Sequence, residues 1–126
     1  MSKRVPDLPN APRPLAPYSV AIESEGLIFI SGQVALPGDG SATPDDVALQ
    51  TRVIMENLGA ILADLGLSYQ DLVKTTIFLT NMADFASVNE VYGSYFAADP
   101  PARSTIQVAA LPRPEFRIEI EAIASR

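Results

Sequence analysis

Histidine and cysteine are both absent from this 126-residue chain. Without cysteine there are no disulfides, no thiolate nucleophile and no cysteine-ligated zinc. Without histidine the usual general base near neutral pH and the commonest metal ligand are missing as well. A zinc-dependent deaminase is therefore excluded by composition, and a serine nucleophile has no histidine to activate it. Cations are scarce too: nine Lys and Arg stand against fifteen Asp and Glu, and no basic run exceeds Lys3-Arg4. A phosphate backbone needs clustered cations to release its counterions, so at a net charge of −6 no nucleic-acid partner is expected. No apolar stretch approaches the length that spans a bilayer, and the start of the chain lacks the apolar core of a secretory signal. The expectation is a cytoplasmic protein with no membrane partner.

What is present is an apolar fraction of 48%, enough for one packed core and, at this length, no second one. Residues 1–16 are rich in proline and read as an extended N-terminal segment lying on the surface or on a neighbouring subunit; residues 17–126 read as a single domain. Tyr18 to Ile22 and Leu27 to Val34 are rich in β-branched and aromatic residues and read as a hairpin about Ser24-Glu25-Gly26. Thr43-Pro44-Asp45-Asp46 has the chemistry of a helix start, with Thr43 as cap and Pro44 at the first helical position. Val47, Ile54, Leu58, Ile61, Leu62 and Leu65 follow at helical spacing up to a stop at Gly66. Residues 72–79 alternate as a strand, with Val73, Thr75, Ile77 and Leu79 on one face. Asp84 is placed to cap a second helix whose apolar side holds Phe85, Val88, Val91, Tyr92, Tyr95 and Phe96, ended by Asp99-Pro100-Pro101. Strands over 103–110 and 116–124 complete a β-β-α-β-α-β-β order. Right-handed crossovers put both helices on one face of a mixed sheet. The other face is left with several apolar positions and no cover, the pattern of an interface between copies.

The chemistry left to such a chain centres on Arg103 and Glu119. Arg103 follows the stiff Pro100-Pro101 pair and is flanked by small Ala102 and Ser104, a setting in which its fork could grip a carboxylate in two places. By residue type alone it is more often a surface arginine at a strand start. In the strand from Phe116 to Ala124, Phe116, Ile118, Ile120 and Ala122 share one face while Arg117, Glu119 and Glu121 share the other. Those charges are either a solvated face or, if that face lies in a subunit contact, partly desolvated carboxylates fit for proton transfer. Tyr18, Ser31-Gly32-Gln33 and Asn89 are the remaining polar candidates; the glycine permits a close backbone approach to a ligand or simply a bulge.

Six segments in order then carry a resemblance: Pro17-Tyr18-Ser19, Ile30-Ser31-Gly32-Gln33, Val73-Lys74-Thr75-Thr76, Val88-Asn89-Glu90-Val91-Tyr92, Pro101-Ala102-Arg103-Ser104 and Ile118-Glu119-Ile120-Glu121-Ala122-Ile123-Ala124. Together they resemble the RidA (YjgF) family of enamine/imine deaminases. The resemblance implies a chorismate-mutase-like α/β fold, a homotrimer around a central β-barrel, three clefts between subunits, and no metal or cofactor. It gives Arg103 the role of binding the substrate carboxylate and Glu119 that of positioning the hydrolytic water. Tyr18, Ser31, Gly32, Asn89 and Thr105 fall at cleft-lining positions. Three departures accompany it: Thr105 stands where many members have cysteine, Ala16 and Val20 replace a frequent glycine and glutamine, and the turn over residues 112–117 is one residue longer.

The implied substrates are small 2-aminoacrylate or 2-aminocrotonate species, hydrolysed to 2-keto acids such as pyruvate or 2-ketobutyrate and ammonia. Two other classes stay open at this stage. One is a non-catalytic, carboxylate-binding or chaperone-like trimer of the same superfamily; the other is a ribonuclease or translation inhibitor, which the acidic charge and missing histidine disfavour.

Overall fold

In the computed structural model, which describes residues 2–126, a five-stranded sheet carries two helices on one face. The strands are β1 (Ala21–Ser24), β2 (Leu27–Val34), β3 (Leu72–Leu79), β4 (Ala102–Gln107) and β5 (Ile118–Ser125). The helices are α1 (Val47–Asp64) and α2 (Phe85–Gly93). The spatial order is β1-β2-β5-β3-β4, with only β3 and β4 parallel. This is the expected β-β-α-β-α-β-β mixed sheet, with the C-terminal strand inserted at its centre.

Several boundaries move for local reasons. The hairpin turn is only Glu25-Gly26, because both residues take positive φ (56° and 79°), the geometry of a two-residue turn matched to strand twist. Strand β1 accordingly starts at Ala21 and runs to Ser24, rather than spanning 18–22. Helix α1 begins at Val47, not at Pro44, and Thr43 does not cap it: its hydroxyl donates to the Ala35 carbonyl at 2.7 Å. At the other end the Gly66 prediction holds, with φ +74° and Gly66 and Leu67 N–H groups returning to Ala63 and Leu62 carbonyls. Asp84 likewise does not cap α2, since its carboxylate takes Arg117 at 2.9 and 3.0 Å; Asn81 caps the short turn just before it by accepting from the Ala83 N–H.

Helix α2 stops at Gly93 rather than at the prolines, where Ser94 folds its hydroxyl onto the Val91 carbonyl at 2.6 Å. Tyr95 and Phe96 still pack against the core from the following loop, but Phe85 is exposed. In β3 the register slips between Leu72 and Lys74, so Val73 sits on a bulge and faces outward while Leu72, Thr75, Ile77 and Leu79 face in. Strand β4 ends at Gln107 because its partner ends at Leu79. Strand β5 starts at Ile118 because the Arg117 N–H is drawn to the Gln50 side chain.

The core lies between the helices and one face of the sheet, built from Ile54, Leu58, Ile61 and Leu62 of α1 against Ile28, Ile30, Ile77, Ile118 and Ile120. Leu27, Phe29 and Ile106 remain exposed on the opposite face, which no described helix or strand covers. The N-terminal segment is tied down at three places: Arg4 bridges Glu23 beside β1, Asn10 bonds Asp64, and Leu8 and Ala11 pack on the core.

Gln50 is the polar exception in the core. Fully buried, it donates to the Pro44 and Glu115 carbonyls at 2.8 Å each and accepts from the Arg117 N–H at 2.9 Å, joining the start of α1 to the 112–117 turn. Replacing it by leucine leaves those part-buried backbone groups without their partner. Gln50→Leu should cost about 1–3 kcal/mol, read as a lower urea midpoint at unchanged slope; an unchanged midpoint would show that water replaces it.

Candidate functional site

Directly paired residues in a sheet share a face, and this places the two principal candidates apart. Arg103 of β4 pairs with Thr75 of β3, which pairs with Ala122 of β5; Thr75 and Ala122 are buried under the helices. Arg103 therefore projects on the helix-bearing side, at the edge of the sheet. Glu119 pairs with Phe78, which pairs with Ile106, so Glu119 belongs to the uncovered face. Each has its own surroundings.

Around Arg103 lies a cleft of about 350 Å3, walled by Asn89, Tyr92 and Gly93 of α2 and by Phe96, Pro100 and Pro101 of the loop after it. The guanidinium carbon sits 5.1 Å from the Tyr92 ring centroid and 5.7 Å from that of Phe85. None of the ion pairs among the described residues involves Arg103. Thr105, two residues on, shares its face through pairing with Ile77. The Thr105 hydroxyl and the Asn89 Oδ1 are both buried without a hydrogen-bond partner. Buried polar atoms are almost always satisfied, so two orphans on this side of the sheet mark a polar environment that the single chain does not complete.

Around Glu119 lies a second cavity, of about 440 Å3, bordered by Tyr18, Ser31, Gly32, Pro112 and Glu121 among others. Ser31 and Gly32 form a bulge opposite Glu121, since Ile30 pairs with Ala122 and Gln33 with Ile120. Gly32 is what seats the carboxylate: a Cβ there would collide with the end of the Glu119 side chain, 2.7 Å from its Cδ. Burial, and then the like charge of Glu121, push the Glu119 pKa above its ordinary 4.5. The Ser31 N–H and hydroxyl are spent on the Val20 and Ser19 carbonyls, and the Tyr18 hydroxyl accepts from the Leu15 N–H at 3.2 Å.

The structure thus sorts the candidates into two half-sites. Arg103, Asn89 and Thr105 are on the α2–β4 side; Glu119, Tyr18, Ser31 and Gly32 are at the β2–β5 bulge. Tyr92 and Phe85 were read from the sequence as core, and nothing in the pattern of an apolar helix stripe separates a ring that fills the core from one that flanks an arginine. Glu121, read as a structural charge, borders the Glu119 cavity and acts on its neighbour's ionisation.

Gly32 has no positive φ, so alanine fits its backbone and only the Glu119 side chain must yield. Gly32→Ala should fold while moving the carboxylate toward solvent, and Glu121→Gln should remove a like charge. In both variants the Glu119 carboxyl, followed by NMR, should titrate at lower pH than in the parent; a midpoint that does not fall would contradict the seating described here. Because the folded pKa is raised, Glu119 adds stability below about 4.5 that is lost as pH rises through the folded value.

The family model described as Endoribonuclease L-PSP matches residues 8–126. The mouse 2-iminobutanoate/2-iminopropanoate deaminase is 45% identical over 123 residues, covering 97% of this chain and 90% of the relative. The chloroplastic Reactive Intermediate Deaminase A of Arabidopsis thaliana is 47% identical over 99% of this chain and 67% of its own length. Among solved structures, Escherichia coli TdcF with bound serine matches with a TM-score of 0.90 at 39% identity, over 98% of both chains. The chain belongs to the RidA (YjgF) family, which the L-PSP model describes and which includes proteins named reactive intermediate deaminases.

Proposed function

We propose that the protein is a hydrolytic deaminase of small enamine and imine carboxylates, with its site formed where the Arg103 half of one copy meets the Glu119 half of another in a homotrimer. The observation that carries this reading is the placement of two unpaired, oppositely charged groups on opposite faces of one sheet. A single chain cannot join them; a neighbour seated on the uncovered face can. Leu27, Phe29 and Ile106 on that face supply the apolar area such a contact requires. The names of the mouse and Arabidopsis relatives support the reaction class, and the serine in TdcF supports a small amino-acid-like carboxylate as ligand.

The mechanism follows from the two groups. Arg103 holds the substrate carboxylate with parallel N–H donors. A 2-aminoacrylate gains a proton at its methylene carbon and loses one from nitrogen, giving the imine. Glu119 takes one proton from a water as the oxygen bonds to the imine carbon and hands that proton to the nitrogen, giving the carbinolamine. In the collapse Glu119 takes the hydroxyl proton and delivers it to the nitrogen as the C–N bond breaks, so that ammonia leaves and a 2-keto acid remains. Holding the reactants and supplying one base are sufficient here, and none of the steps uses a histidine, a thiol or a metal. Asn89 and Thr105 offer their unpaired oxygens near the anchor, where Thr105 supplies a hydroxyl contact at most.

A non-catalytic carboxylate-binding trimer would need only the Arg103 half. The raised pKa of Glu119 and its dedicated seat on Gly32 favour the catalytic reading. With 2-aminoacrylate generated in situ by a serine-eliminating enzyme, the protein should accelerate pyruvate release. Arg103→Ala should abolish turnover and pyruvate binding together. Glu119→Gln should keep pyruvate binding while slowing turnover by about 100-fold or more, the usual weight of a general base. Full activity in Arg103→Ala would overturn the assignment, and absence of any acceleration by the parent protein would leave the binding reading in its place.

A further inference from the structure

An arginine at a carboxylate site is usually aimed by an acidic neighbour, which occupies part of its donor fork. Arg103 has no such neighbour among the described residues. What surrounds its guanidinium is aromatic: Tyr92 at 5.1 Å and Phe85 at 5.7 Å from ring centroid to guanidinium carbon, both within cation–π range. A ring face attracts the cation without accepting along its N–H bonds, so all five donors stay available.

The Tyr92 ring is itself fixed from two sides. Its hydroxyl lies 2.7 Å from the Thr75 hydroxyl, a buried pair, and Phe96 packs on it at a centroid distance of 5.0 Å. Thr75 is the residue directly opposite Arg103 in the β3–β4 ladder. Ring and arginine are thus referenced to the same pair of strand positions. Phe85 is otherwise unexplained: it opens α2, 41% exposed, and is absent from the core cluster. Its place beside the guanidinium accounts for a large apolar side chain left at the surface.

We propose that Tyr92 and Phe85 are positioning residues for the reaction, an aromatic clamp that aims Arg103 at the ligand carboxylate while leaving its whole donor fork free. The inference rests on the Arg103 anchor role proposed above. Its consequence is that the clamp contributes to carboxylate binding and leaves the hydrolytic step, which belongs to Glu119, untouched. Thr75 acts one step further back, through the orientation of the Tyr92 ring.

The clamp is tested on the full-length protein with two readouts. The first is the Arg103 side-chain N–H resonance, which should be displaced upfield by the ring currents and move back toward the ordinary arginine position in Phe85→Leu and Tyr92→Leu. Tyr92→Phe should keep the displacement, because it keeps the ring. The second is function: Phe85→Leu, at an exposed position where folding is not at risk, should weaken pyruvate binding and raise KM by about 2- to 5-fold with kcat little changed. An Arg103 resonance unaffected by either leucine variant, or a Phe85→Leu protein with parental KM and pyruvate affinity, would overturn the proposal. If the parent protein neither bound pyruvate nor deaminated 2-aminoacrylate, the functional reading would fall, while the resonance would still decide the clamp.

Discussion

The pleat of the β5-β3-β4 ladder decides which polar side chains of this protein can meet. A strand residue has two directions available, and the pairing of Thr75 with Arg103 and of Phe78 with Glu119 assigns the two charges to opposite ones. No side-chain rotation reverses that assignment. A one-residue slip of β4 would turn Arg103 to the uncovered side, but it would also turn Thr105 out and bring Ile106 in, disturbing the row beside buried Ile77. The same pairing that packs the core therefore keeps Arg103 and Glu119 on opposite faces of one chain. In the proposed assembly this separation becomes the reason for the oligomer: the anchor and the base belong to different copies, and the apolar uncovered face joins them.

In the proposed assembly each half would meet a partner that it lacks alone. Glu119 is carried on a central strand, half-buried, against a glycine that leaves room for it and beside a second carboxylate that discourages its ionisation. Arg103 is held by rings, with its donors uncommitted. Bringing a cation and a carboxylate substrate near Glu119 would change the balance that raises its pKa, since opposite charge favours the ionised form and added burial opposes it. Glu121 sits within the same cavity and tunes that balance from the side.

The sequence conveyed the element order and the inward residues of α1 and β5, because both rest on periodicity: Ile54, Leu58, Ile61 and Leu62 recur at helical spacing, and Ile118, Ile120 and Ala122 at every second position. It conveyed the helix end at Gly66, where only the backbone is needed. It did not convey the helix starts, since the side chains of Thr43 and Asp84 had the right chemistry for caps but were drawn to distant partners, the Ala35 carbonyl and Arg117. Val73 fitted an alternating pattern that a bulge interrupts, and a bulge leaves no mark in residue type. For the site, the resemblance supplied roles for Arg103 and Glu119, but their separation onto two faces depends on register, which only the structure fixes. Phe85 and Tyr92 looked like any other apolar helix positions.

The central claim is that one active site takes Arg103 from one copy and Glu119 from another. It is tested most directly by unfolding the Arg103→Ala and Glu119→Gln variants together in equal amounts, refolding them as mixed oligomers and measuring 2-aminoacrylate deamination. If the site is shared, random assembly rebuilds intact Arg103/Glu119 clefts and should recover about a quarter of the parental activity from two inactive proteins. If both groups served a site within one chain, every subunit would carry a defect, and the mixture would stay as inactive as its components.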